Sequence, residues 1–177
     1  DVLAIGPAGE RLVRFACCCH YWKNREAIAG RGGMGAVLGS KNVKAVAVRG
    51  KRRTEVADPA ALKAVIDATR EDLKKGTHGL KVYGTPVLVN PINALGGLGW
   101  RNMQGEVVPD VDKISGETYK EDFWVRDTTC LKCSVACGKT FEVKEGEWTG
   151  LRWKLPEFET IFALGTLNAH VDAAALV

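Results

Sequence analysis

The sequence predicts an α+β protein on three observations: short β-branched runs separated by glycines ahead of Gly50, a strongly signalled helix at Asp58-Pro59, and a helical pattern from Pro156 onward. A chain of 177 residues with 46% hydrophobic content can bury a core, and its length suggests one domain or pieces of two. The formal charge of +4 comes from 25 Lys and Arg against 21 Asp and Glu scattered along the chain, too thin an excess for a nucleic-acid surface. The apolar stretches fall short of the roughly 18 residues a membrane helix needs, and no charged-then-apolar leader opens the chain. A cytoplasmic location is expected.

Val2 to Ile5 is a short apolar run ended by Gly6-Pro7-Ala8-Gly9, a strand delivered into a tight turn. Leu12 to Cys19 reads as a second strand. Glycines crowd the stretch from Ala29 to Gly39, and Val43 to Val48 is β-branched enough for a strand reaching Arg49-Gly50. Lys51-Arg52-Arg53 is a basic connector, and a domain boundary is expected between residues 50 and 58.

Asp58 as N-cap and Pro59 at the first helical position open an amphipathic helix carrying Leu62, Val65, Ile66 and Leu73 at helical spacing, stopped by Gly76. Short helical pieces are expected around Val87 to Leu95, then a polar loop from Val111 to Glu121. Phe141-Glu142-Val143-Lys144 with Glu145-Gly146 reads as half a hairpin, and Pro156 to Val177 as a helix beginning at a proline. Asp1 stands in a strand already under way and Val177 inside a helical pattern, so both ends read as cut.

The strongest local chemical signal is Cys130-Leu-Lys-Cys133-Ser-Val-Ala-Cys137, three soft thiolates close enough to be aimed at one centre. The spacing leaves open an iron–sulfur cluster, a structural zinc, and unliganded thiols. Zinc usually recruits a nearby Cys or His pair, and downstream there is only His170, which favours iron with a distant fourth cysteine. Lys132 and Lys139 flank the site and would offset thiolate charge.

Gly30-Arg31-Gly32-Gly33-Met34-Gly35, followed by Gly39-Ser40-Lys41, could let backbone N–H groups approach an anion. It contains the spacing Gly30-x-Gly32-x-x-Gly35, but the acidic residue expected after a dinucleotide loop is not evident, and Lys41 is out of place for a Walker loop. A glycine-rich turn packed closely on a neighbour is the competing reading.

Taken together, Ile5-Gly6-Pro7-Ala8-Gly9-Glu10, the run from Ala29 through Gly39-Ser40-Lys41-Asn42-Val43-Lys44-Ala45, Tyr83-Gly84-Thr85-Pro86, the Asn93 to Asn102 stretch, the cysteine triplet and Pro156-Glu157-Phe158-Glu159-Thr160 resemble the successive signatures of the aldehyde ferredoxin oxidoreductase family. The resemblance covers nearly the whole chain, as an internal fragment. It implies two pterin dithiolenes holding one tungsten, or molybdenum, on the β-rich end of a pterin-cradling first domain, followed by the start of a mostly helical second domain. Residues 1–53 would be the C-terminal part of the first domain and 54–177 the N-terminal part of the second.

By this likeness Arg31, Gly32 and Gly33 would sit beside the pterin phosphates, which magnesium could bridge. Cys130, Cys133 and Cys137 would hold a 4Fe-4S cluster beside one pterin, on a path for electrons to ferredoxin. Glu159 matches the glutamate the family places near tungsten, with Glu157 the near alternative, and Phe158 stands where a tyrosine is common. The implied reaction is oxidation of an aldehyde to a carboxylate, with a homo-oligomer open. A family member reducing an acid or aromatic acyl-thioester, and a non-catalytic electron-transfer or zinc module, are the alternatives.

Other residues are discounted. Cys17-Cys18-Cys19 lies in an apolar run and reads as buried thiol, His20 and His78 have no evident partners, and His170, near Asp172 on the last helix, reads as packing or solvent-facing. Trp148 and Trp153 could wall a pocket or anchor a loop. A glutamate in a first helical turn, as at 157 and 159, is also favoured simply by the helix dipole.

Overall fold

A computed structural model of the protein describes residues 1–22, 25–51, 54–130 and 132–176. The chain separates into two units, Asp1–Ala57 and Asp58–Val177, and the architecture is α+β in the sense the sequence predicts. Arg52 and Arg53 of the basic connector, and the final Val177, lie outside the described residues.

In the first unit the strands are β1 (Val2–Ile5), β2 (Cys18–Trp22), β3 (Arg25–Ala29) and β4 (Ala45–Ala47), in the antiparallel order β3-β2-β1-β4. Ile5 pairs with Cys18 and Val2 with both Tyr21 and Ala47. Because side chains alternate across a sheet, Ile5 and Cys18 turn to one face and are buried there, while Val2, Tyr21 and Ile28 on the other are exposed.

Two short helices, α1 (Pro7–Glu10) and α2 (Met34–Ser40), pack on each other. Gly6-Pro7-Ala8-Gly9 is therefore a helical turn with Pro7 at its start, rather than only a tight turn. The second strand begins at Cys18 and not at Leu12. Leu12 takes a left-handed φ of 57°, and Val13 N–H and Ala16 N–H close turns on the carbonyls of Ala8 and Val13. The glycine-rich run is preceded by β3 and itself turns helical, so strand, turn, strand becomes strand, turn, helix, strand.

The second unit opens with α3 (Pro59–Gly76), where Asp58 Oδ1 accepts from Ala61 N–H at 2.9 Å as the N-cap pattern requires. Its apolar stripe of Leu62, Val65, Ile66 and Leu73 is exposed. Next come α4 (His78–Tyr83), a 3-10 turn (Thr85–Leu88) and α5 (Val89–Ala94), which place helix where it was expected.

The segment from Val111 to Glu121 is not a polar loop. It runs as a 3-10 turn (Val111–Ile114), α6 (Gly116–Thr118) and a π-helical turn (Tyr119–Phe123), because Ile114 and Tyr119 are wholly buried and draw the backbone inward. Tyr119 stacks on Phe141 at a ring-centroid distance of 5.1 Å. These side chains join Val89, Leu98, Val108, Leu155 and Ile161 in one core.

Strands β5 (Trp124–Thr128), β6 (Gly138–Glu142) and β7 (Arg152–Lys154) form an antiparallel sheet in that order, so the expected hairpin is present. The C-terminal stretch is not one helix. It is α7 (Phe158–Thr160), a π-helical turn (Ile161–Gly165) and 3-10 turns at Thr166–Asn168 and Ala174–Leu176. Backbone N–H groups of Arg101 and Asn102 donate to the carbonyls of Thr166 and Leu167, at 3.2 and 2.8 Å, and Ala169 turns left-handed. Thr166 O also closes a turn with Ala169 N–H at 3.1 Å, so the stretch ends in shared, short-range hydrogen bonds.

Candidate functional site

In the first unit, β3 hands the chain at Ala29 to an exposed turn and α2 receives it at Met34. Gly32 and Gly33 have φ of 76° and 65°, a region that ordinary side chains avoid. The two differ in what surrounds them. A side chain on Gly33 would overlap the carbonyl oxygen of Arg14, and one on Gly39 would overlap that of Gly9, where α2 meets α1. A side chain on Gly32 would meet nothing within 4 Å, and Arg31 beside it is exposed. Gly33 and Gly39 thus serve close backbone packing, and the Arg31-Gly32 segment is the bare surface an anion can reach.

The second unit holds the cysteines on the loop joining β5 to β6. Its base is closed by the pairing of Thr128 with Gly138. Cys133 N–H donates to Cys130 O at 3.1 Å, and the Thr129 hydroxyl donates to Cys133 O at 2.7 Å, so these two cysteines are tied to each other's neighbourhood. Cys130 and Cys133 are exposed and Cys137 is half-buried. Among the described residues no group of three or more His, Cys, Asp or Glu side chains is arranged to hold a metal ion, so the three thiols share a loop without converging. The donor chemistry still suits a thiolate-bound iron centre: three soft sulfurs occupy residues 129–137, with no carboxylate among them.

Lys139 is 1% exposed, and its ammonium donates to Lys81 O at 2.7 Å and Ala136 O at 3.0 Å while standing 3.2 Å from Asp127 Oδ1. Asp127 faces Lys139 directly across the β5–β6 ladder. Burial works against ionisation of Asp127. Hydrogen bonds from Trp124 Nε1 and Lys139, with the charges of Lys139 and Lys120, outweigh it and hold the carboxyl below its ordinary value.

The two candidate glutamates are separated by their contacts. Glu157 precedes α7, accepts from the Thr85 hydroxyl at 2.7 Å and pairs with Lys154 at 2.6 Å. Partial burial opposes its ionisation, but the hydrogen bonds from Lys154 and Thr85 and the Lys154 charge lower its pKa overall. Glu159, in the first turn of α7, is exposed. Glu157 is engaged in holding structure, and Glu159 is open to solvent.

Of the discounted residues, Cys18 is buried, Cys19 is exposed and the sulfurs of Cys17 and Cys19 lie 3.9 Å apart. His78 is exposed, His20 and His170 are half-buried, and Trp148 and Trp153 are exposed. Sequence reasoning missed the burial of Lys139 and the Thr85–Glu157 pair. The first had a signal: Lys139, Phe141 and Val143 alternate along one strand direction, and all three are buried.

The chain thus presents a glycine-led β unit and an α+β unit that carries three cysteines on one hairpin loop. The chain belongs to the aldehyde ferredoxin oxidoreductase family: residues 1–50 match the model of that family's N-terminal domain and residues 61–177 that of its domains 2 and 3. It is 41% identical over 181 aligned residues to the tungsten-containing aldehyde ferredoxin oxidoreductase of Pyrococcus abyssi, which covers 100% of this chain and 28% of that protein. The enzyme of the same name from Pyrococcus furiosus is 38% identical, covering 99% and 28%. An aliphatic sulfonate oxidoreductase, WOR-like subunit, of P. furiosus is 30% identical over 176 residues, covering 93% and 26%. The chain spans little more than a quarter of the length of these curated relatives.

Proposed function

We propose that this chain is part of a tungsten-pterin oxidoreductase that converts an aldehyde to a carboxylate and passes electrons through an iron–sulfur cluster to ferredoxin. The observation carrying this reading is that Cys130, Cys133 and Cys137 share one loop closed at its base by a β-hairpin, in a chain of this family.

The aldehyde and one water yield the carboxylate, protons and an electron pair, and the tungsten-pterin group, when bound, supplies the two-electron redox change. The chain's residues supply position and charge. Arg31 and the bare backbone of Gly32 bind pterin phosphate, where a planar guanidinium and free N–H groups suit a dianion. Gly33 stands beside them with its Cα against the Arg14 carbonyl, and its part in phosphate binding is through the backbone. Cys130, Cys133 and Cys137 would supply three thiolates to a 4Fe-4S cluster, which would carry electrons one at a time.

Glu159 accepts a proton from water or from the hydrated aldehyde, a role its exposed place on α7 permits. Glu157 and Thr85 hold the start of that helix. The test is anaerobic assay of the full-length protein with aldehydes and ferredoxin, alongside tungsten and iron analysis. Aldehyde-dependent ferredoxin reduction with both metals present supports the reading. Activity only with an acid or an aromatic acyl-thioester would reverse the direction, and zinc without iron would refute the cluster.

A further inference from the structure

We propose that Lys139 is a positioning residue for the cysteine loop, its buried ammonium fixing the Cys137 end of the loop through the Ala136 carbonyl and bringing a positive charge to that end. An ammonium has three N–H donors, and here three oxygens meet it: Lys81 O on α4, Ala136 O next to Cys137, and Asp127 Oδ1 on β5. Burying a charge in this way is tolerated only when its donors are satisfied. The three acceptors belong to three separate segments, so the ammonium joins them.

A second contact holds the same end. A side chain at Gly84 would come within 3.0 Å of Cys137 O and 2.6 Å of Leu155 Cδ2, so the turn after α4 lies directly against the Cys137 backbone. The other end of the loop has no comparable anchor among the bonds described, since Cys130 and Cys133 are exposed and bonded to each other. The loop is therefore asymmetric. Cys137 is flanked by two anchors, the Ala136 carbonyl on the Lys139 ammonium and Gly84 against its own carbonyl, whereas Cys130 and Cys133 are exposed.

The charge effect rests on the cluster reading above; the positioning effect does not. In the full-length protein stripped of iron, Lys139→Met keeps the length of the side chain and removes the charge. Iodoacetamide labelling of Cys137, read by mass spectrometry, should rise about tenfold, with Cys130 unchanged, because a charge-assisted network no longer restrains local opening. In the iron-loaded protein, the midpoint potential of the iron–sulfur signal should move to more negative values, since a nearby cation favours the reduced cluster.

Asp127→Asn, at a partly exposed position, removes a negative charge from the same spot and should move the potential the opposite way while modestly raising Cys137 labelling. If Lys139→Met fails to fold, Asp127→Asn decides the matter by these two readouts. Equal Cys137 labelling in wild type and variants overturns the positioning role, and unchanged or same-direction potentials overturn the charge role. A wild-type protein that takes up no iron overturns the cluster reading alone, and the labelling contrast then stands as the test of Lys139.

Discussion

Thr85 and Glu157, 72 residues apart in sequence, are joined by a 2.7 Å hydrogen bond from the threonine hydroxyl to Glu157 Oε2, and the same hydroxyl oxygen accepts from Phe158 N–H at 2.9 Å. A side chain from the turn after α4 thus caps the start of α7, which carries Glu159. The glutamate that looks interchangeable with Glu159 in sequence is consumed by this cap and by Lys154.

Thr85→Val should therefore destabilise the second unit by about 1 kcal/mol, the usual worth of a helix cap. Glu159→Gln should leave thermal melting and metal content unchanged and lower turnover by roughly a hundredfold, in keeping with loss of a general base. Melting curves, metal analysis and steady-state rates on the two variants check the division. A Glu159→Gln protein that loses tungsten would make that residue structural.

Acid should loosen the second unit through Glu157 and Asp127. Both carboxyls titrate below their ordinary values in the folded chain. A depressed folded pKa means the stabilisation is fully present above the unfolded value of about 4 and is lost as pH falls through the folded value. Melting temperature should accordingly fall below about pH 4, and Glu157→Gln should flatten that fall. An acid limb of unchanged slope in the variant would contradict the assignment.

The glycines of the first unit should separate by substitution. Gly39→Ala, which drives a methyl into Gly9 O, should cost about 3 kcal/mol as an overpacked backbone contact. Gly32→Ala meets no neighbour and should cost only the left-handed backbone penalty of about 1 kcal/mol. Arg31→Ala should leave melting unchanged and weaken pterin retention, measured as cofactor content after gel filtration.

Cys133→Ser should remove iron and its absorption from the anaerobically purified protein. An unchanged iron count would show that the cysteine loop is not the cluster site.

Much was legible from the chain alone wherever the signal was local. Asp58-Pro59 announced α3 because an N-cap acceptor and a preset φ act within one turn. The cysteine spacing, the hairpin around Phe141 and the family motifs are of the same kind. The long helix expected from Pro156 is broken into short turns, and its carbonyls at Thr166 and Leu167 accept from Arg101 and Asn102 N–H groups that lie outside any local window. The polar reading of Val111 to Glu121 failed because burial of Ile114 and Tyr119 depends on partners such as Phe141.

The sequence by itself determined the family, the α+β class, the glycine turn and the three-thiol loop, all of which follow from residue type and short spacing. Only the tertiary structure decided that Gly32 is open while Gly33 is enclosed, that Glu157 is occupied while Glu159 is exposed, and that Lys139 is buried and bonded to the Lys81 and Ala136 carbonyls. Each of those outcomes is set by an oxygen atom supplied from a distant part of its own unit, and a hydrogen bond or steric overlap with such an atom exists only once the chain has folded.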